Sequence, residues 1–241
     1  MIRTFIEVYI REIKLWLNMK GEYIMSFEKT SLFEGAGSVL GDTKDSRISL
    51  YKKYIEENPN SCFEFAIDEE KDEVILKKYT QNDEEERTIE IPNFVNRIDG
   101  YPFKGVTQSL KVIYHGSESC LRVQSYLFAD FLGEKLDLSE FDTTGAVYMN
   151  GLFAQCENLE ELDLSNFNTS DVVSMEEMFD GCSSLCDLDL SSFNTSKVKN
   201  MDYMFNQCVS LNKLDLRHFD FSNVEDFKRV FRCGYMYKTF W

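Results

Sequence analysis

The sequence predicts an α/β leucine-rich repeat solenoid, with short parallel strands on a concave face, short helices or helical turns on the convex face, and an N-terminal β-hairpin and helix as a cap. Three observations predict it. The triplet Leu-Asp-Leu recurs at Leu136–Leu138, Leu162–Leu164, Leu188–Leu190 and Leu214–Leu216, each 26 residues after the last. Flanking columns keep that register: Phe141, Phe167, Phe193 and Phe219; Phe153, Phe179, Phe205 and Phe231; Met149, Met175, Met201 and Phe227; Leu152, Met178, Met204 and Val230. Leu159, Leu162 and Leu164 spell L-x-x-L-x-L, and a 26-residue period lies in the leucine-rich range.

Each column has a physical reason. In Leu-Asp-Leu the period is two, so both leucines point inward and the aspartate outward. The phenylalanine three residues on enters the core as the chain leaves the strand. A Thr-Ser turn follows at Thr169-Ser170 and Thr195-Ser196. Met175, Met178 and Phe179 then fall at i, i+3 and i+4, the spacing of one helical face. Ser174, Asn200 and Asp226 precede that face as N-caps, and Ser174 with Glu177 reads as a capping box. One such unit cannot bury its apolar face alone, so the units stack like on like.

Upstream, residues 2–17 carry apolar residues at helical spacing, interrupted by Arg3, Glu7, Arg11, Glu12 and Lys14. That excludes a signal-peptide h-region. It leaves a helix docked on its own domain, a leader before a second start at Met25, or a surface-lying membrane helix. Gly35, Gly37 and Gly41 match neither phosphate-binding spacing and read as a loop. Residues 48–57 read as a helix ended by Asn58-Pro59-Asn60, and 62–67, 73–79 and 87–91 as strands. The acidic runs Asp68–Glu73 and Asp83–Glu86 read as solvated loops between them. The resulting organisation is an N-terminal helical segment (1–60), a hairpin cap (61–88), degenerate coils (89–135) and four repeats (136–241). In this register the next strand begins at Phe240. Tyr235, Met236, Tyr237, Phe240 and Trp241 are therefore expected to cap the open end, a truncated array being the rival reading.

The phrases LDLSNFNTSDVVSMEEMFDGCSSL and LDLSSFNTSKVKNMDYMFNQCVSL resemble the repeat of BspA-like bacterial leucine-rich repeat proteins. LDLSEFDTTGAVYMNGLFAQCENL and LDLRHFDFSNVEDFKRVFRC match less tightly. IEIPNFVNRIDGYPF, SLKVIYHG and FEFAIDEEKDEVILKKYT resemble the first coil, the following strand and the preceding hairpin of that family's other repeat type. The resemblance implies a surface protein or lipoprotein, some relatives being adhesins, and it carries no catalytic residues. The chain lacks the family's signal peptide, lipobox and wall anchor.

Composition bounds the chemistry. The chain of 241 residues holds 42 acidic and 26 basic residues, a net charge of −16, which excludes nucleic acid as a main partner. Two histidines leave little room for histidine catalysis or zinc, and no stretch is long and apolar enough to span a bilayer. The seven cysteines are an odd set without an export signal and read as reduced. Cys182 and Cys186 lack a second pair at metal spacing, so buried core cysteines are expected there, with no cofactor and no metal.

The candidate partner-binding face is the outward row Asp137, Asp163, Asp189 and Asp215, with Ser139, Ser165, Ser191 and Arg217 beside it. Glu140, Asn166, Ser192 and His218 lie outward beyond it. Strand spacing would bring the aspartates about 4.8 Å apart. Their repulsion would be relieved by raised pKa values, an intercalated cation such as calcium, or hydrogen bonds from the serines; the rival reading is that salt screens it and the row merely solubilises. Residues 136–241 hold 18 acidic and 8 basic residues, so the partner is expected to be a protein with a basic face. The sequence thus predicts a non-enzymatic binding module, cytoplasmic in the absence of an export signal. The alternatives are an exported adhesin or lipoprotein at the cell surface and, disfavoured by a period that leaves no room for an active-site loop, a hydrolase using acids such as Asp163 and Asp189.

Overall fold

The computed structural model describes residues 46–81, 86–115, 125–212 and 214–231. The chain divides into two units after Lys44, and every described residue belongs to the second, Asp45–Trp241. The expectations for residues 2–17, the glycine cluster, the capping tail 235–241, Cys120 and Cys233 lie outside the described residues, as does most of the run Asp83–Glu86.

Helix α1 spans Arg47–Glu57. Its N-cap Ser46 accepts the Ser49 N–H through its hydroxyl. Asp72, from the neighbouring hairpin turn, accepts the N–H groups of Arg47 and Ile48 at 2.9 and 3.2 Å, filling two of the donors a helix start leaves open. Ile48 is buried, and Tyr51 and Tyr54 on the same face pack edge-on against Phe65 and Phe94.

Strands β1 (Phe63–Asp68) and β2 (Glu73–Tyr79) form an antiparallel hairpin. β2 also pairs in parallel with β4 (Arg97–Ile98), completing a mixed three-stranded sheet. A second, parallel sheet runs β3 (Arg87–Glu90), β5 (Leu110–Ile113) and β6 (Leu136–Asp137).

The α/β leucine-rich repeat solenoid is corrected by this architecture. The single α-helix among the described residues precedes the repeats, and the regular strands end with β6. Downstream, the repeats touch through isolated bridges, Tyr148 to Ser174, Ser174 to Asn200 and Asn200 to Asp226. The described residues form one helix and two small sheets, followed by repeats built from turns.

The physical reason lies in the segment expected to be helical. The N–H groups of Met178, Asp180 and Cys182 close short turns onto Met175, Glu177 and Phe179. The alternate donors Met175, Glu177, Phe179 and Gly181 leave the repeat altogether. They bond the carbonyls of Asn200, Asp202, Met204 and Asn206, each 25 residues on. A helix would turn all of them inward to i−4. Glu177 (φ +58°) and Gly181 (φ +75°) occupy the third position of turns that need a left-handed residue there, which no helix tolerates. Tyr126, Gly151, Tyr203 and Arg229 repeat the first of these positions, and Asp130, Gln155 and Gln207 the second. Ser174 is therefore a bridge residue and neither an N-cap nor part of a capping box; its hydroxyl finds no partner. Asn200 likewise spends its side-chain oxygen on the Asp202 N–H, within a turn.

These bonds stack the repeats, and the core follows as ladders. Phe128, Phe153, Phe179, Phe205 and Phe231 lie ring on ring with centroids 5.5 to 5.8 Å apart. Phe141, Phe167 and Phe193 stack at 6.3 and 6.5 Å. Met149, Met175 and Met201 are buried, but Phe227, expected to extend that column, is 48% exposed at the last described repeat. Buried polar ladders run alongside. Thr143, Thr169 and Thr195 each donate to the carbonyl of Asn168, Asn194 or Asp220 and accept the N–H of that same residue, at 2.7 to 3.2 Å. The thiols of Cys156, Cys182 and Cys208 donate to the carbonyls of Phe128, Phe153 and Phe179 at 3.0 to 3.1 Å. Cys186, expected in the core, is exposed.

Two stability outcomes follow. Thr169→Val keeps shape but removes the partner of the Asn194 N–H and carbonyl, both part-buried, and is expected to cost about 1–3 kcal/mol in urea unfolding. Gly151 has φ +55°, and a side chain there would overlap the Tyr126 ring lying across it. Gly151→Ala is expected to cost about 1–3 kcal/mol, whereas Gln207→Gly, at an exposed position with φ +60°, is expected to be neutral or to stabilise by up to about 1 kcal/mol. Thermal melts of the two variants check the contrast.

Candidate functional site

The aspartate row expected from sequence is present, and its geometry explains why aspartate stands there. Asp137, Asp163, Asp189 and Asp215 are exposed. Each carboxylate accepts the backbone N–H two residues on, from Ser139, Ser165, Ser191 and Arg217, at 2.9 to 3.0 Å. The row is thus a run of identical Asx turns that end each Leu-Asp-Leu segment. Asp137 and Asp189 repel Asp163 across the repeats, so the row is close enough to interact.

Of the three ways to relieve that repulsion, hydrogen bonding is the one found. Asp137, Asp163 and Asp189 are held below the usual carboxylate range, the bonds from the residues at i+2 being the largest cause. Asp215 lies well below it, because the Arg217 guanidinium also bonds both its oxygens. Raised pKa values, one of the options for the row, are not what its geometry gives. Among the described residues, no three histidine, cysteine or acidic side chains are grouped to hold a metal ion.

The residues beside the row serve the backbone as well. Asn166 donates to the carbonyls of Leu138 and Phe141, Ser192 to that of Leu164, and His218 Nε2 lies 2.7 Å from that of Leu190. Glu140 instead pairs with Lys111.

A second acidic group escaped the sequence reading, which spent Glu177 on a capping box. Glu176, Glu177 and Asp180 cluster on the turn segment, and their bonding partners are neutral. Asn200 donates to Glu176 at 3.2 Å, the Tyr126 hydroxyl to Glu177 at 3.1 Å, and Gln155 and Asn206 to Asp180 at 3.1 and 2.6 Å. Among the described residues no lysine or arginine forms an ion pair with any of the three, whereas Lys228 takes Asp202 and Asp226. Burial, then Glu177, Asp202 and Asp226, push Glu176 up. Burial first and Glu177 next raise Asp180 against its two amide donors. Burial beside Glu177 pushes the Tyr126 phenol to about 12.

In comparisons with known proteins, residues 124–239 match a family model described as a Mycoplasma protein of unknown function, DUF285. No curated protein and no solved structure matches the chain.

The two acidic groups titrate in opposite senses. Glu176 and Asp180 bind protons more tightly in the folded state, so their contribution to stability rises as pH falls through their raised values. Asp137, Asp163 and Asp189 contribute stability that is complete above their unfolded values, near about 4, and is lost as pH falls through the lower folded ones. Carboxyl ¹³C titration is expected to give Glu176 and Asp180 midpoints above their residue-type averages and Asp163 one below; the reverse order would contradict the hydrogen-bond assignment.

Proposed function

We propose that the protein is a non-enzymatic binding module that presents the repeated aspartate row to a protein with a basic face. The observation that carries the reading is the fixed geometry of Asp137, Asp163, Asp189 and Asp215. Four identical turns hold four exposed carboxylates in one register before any partner arrives, so little ordering entropy remains to be lost on binding. The likeness to BspA-like repeats, in which some relatives are adhesins, supports a binding role. Among the described residues no helix is long and apolar enough to cross a membrane.

Charge complementarity of this kind acts mainly through the association rate and is screened by salt. Affinity capture on the intact chain is expected to retain a basic protein at about 0.05 M salt and to release it near about 0.5 M. Asp163→Asn combined with Asp189→Asn is expected to weaken retention about tenfold without lowering the melting temperature of the core by more than a few degrees. A complex indifferent to both salt and these substitutions would remove the row from the interface.

A further inference from the structure

In a stack of repeats each unit ordinarily meets only its neighbours, and interfaces open one at a time. The side-chain bonds of Thr143 to Asn168, Lys197 to Asp171 and Asn200 to Glu176 follow that rule, reaching 24 to 26 residues. Tyr126 reaches twice as far. Its backbone N–H bonds the Asn150 carbonyl in the next repeat at 2.8 Å. Its hydroxyl passes over that repeat and donates to Glu177, 51 residues on, at 3.1 Å. Gly151 makes the reach possible. Tyr126, Gly151, Glu177 and Tyr203 occupy one turn position in successive repeats, each with positive φ. Gly151 alone of these four has no side chain, and the Tyr126 ring lies across it. Tyr101 packs edge-on against the same ring, with centroids 5.4 Å apart. Tyr203, at the equivalent position, meets Arg229 in the adjacent repeat instead.

We infer that Tyr126 is a strap that ties three successive repeats, so that the two interfaces flanking Gly151 open together instead of one by one. Whichever of the two interfaces parts, the same hydroxyl bond must break. The acceptor is a carboxylate, which makes the bond stronger than one between neutral groups. The phenol, pushed to about 12, keeps the proton that the bond needs at neutral pH. Asp137 and Asp163 lie within the tied stretch, and Asp189 and Asp215 follow it. The strap therefore divides the aspartate row into a fixed half and a half that opens on its own.

The test is native-state hydrogen exchange on the intact chain. The backbone N–H groups of Phe128, Phe153, Phe179 and Phe205 each cross one interface, to the carbonyls of Leu152, Met178, Met204 and Val230. Phe128 and Phe153 are expected to share one protection level and one dependence on low denaturant. Tyr126→Phe keeps the ring over Gly151 and removes only the hydroxyl. It is expected to lower the protection of Phe153 at least about fivefold and to change that of Phe205 by less than about twofold. In a Glu177→Ala background the hydroxyl has no carboxylate to bond. Adding Tyr126→Phe there is expected to change Phe153 by less than about twofold. Unequal protection of Phe128 and Phe153 in the unmodified chain, equal losses at all four amides, no loss at Phe153, or a loss there that persists without Glu177 would overturn the strap.

Discussion

The structure depends on one hydrogen-bond arrangement: in each turn segment every second N–H leaves its own repeat and bonds a carbonyl 24 or 25 residues later. The alternate N–H groups close turns within the repeat, so the backbone donors of the segment are accounted for without a helix. This arrangement sets equivalent side chains one above another. The stacked phenylalanine rings, the threonines that both give and take a bond with the next repeat, and the thiols aimed at phenylalanine carbonyls are consequences of that registry. At the last described repeat the ladders fade. Phe221 and Phe227 are exposed, while the threonines and methionines in their columns are buried.

Acidic residues do two different jobs on this frame. The aspartates of Leu-Asp-Leu are backbone devices first. Their oxygens hold turns, and the negative row is a by-product with a fixed shape. The side chains of Glu176 and Asp180 hold no turn, and they retain a burial penalty that their amide donors relieve only in part. A surface formed by the first kind is rigid and already satisfied; in the second kind, Glu176 and Asp180 hold their protons more tightly than ordinary carboxylic acids.

What the sequence disclosed, and what it hid, divides along physical lines. The 26-residue interval and the burial of the Leu, Phe and Met columns were legible, because apolar identity recurs wherever a side chain must fill the same hole. The outward aspartates were legible from the period of two. The helices were misread because Met175, Met178 and Phe179 at i, i+3 and i+4 satisfy a row of turns as well as a helix. The discriminating feature is a left-handed residue, and only Gly151 and Gly181 reveal it by type, while Glu177, Tyr203 and Gln207 adopt the same conformation without announcing it. Thr169 and Thr195 were legible as turn residues but not as buried ones, since hydroxyls buried against a neighbour's backbone look like surface hydroxyls in one dimension. The cluster around Asp180 was hidden for the same reason, as it joins Gln155, Asp180 and Asn206 from three successive repeats.

The N–H groups that leave each turn segment all point toward the following repeat, and the carbonyls that accept them point back. The array therefore has a direction. During synthesis, each repeat leaving the ribosome presents donors whose acceptors have yet to be made, and it is completed only when some 25 further residues have emerged. The turn-segment edge of each repeat is therefore donor-rich until the next repeat stacks on it.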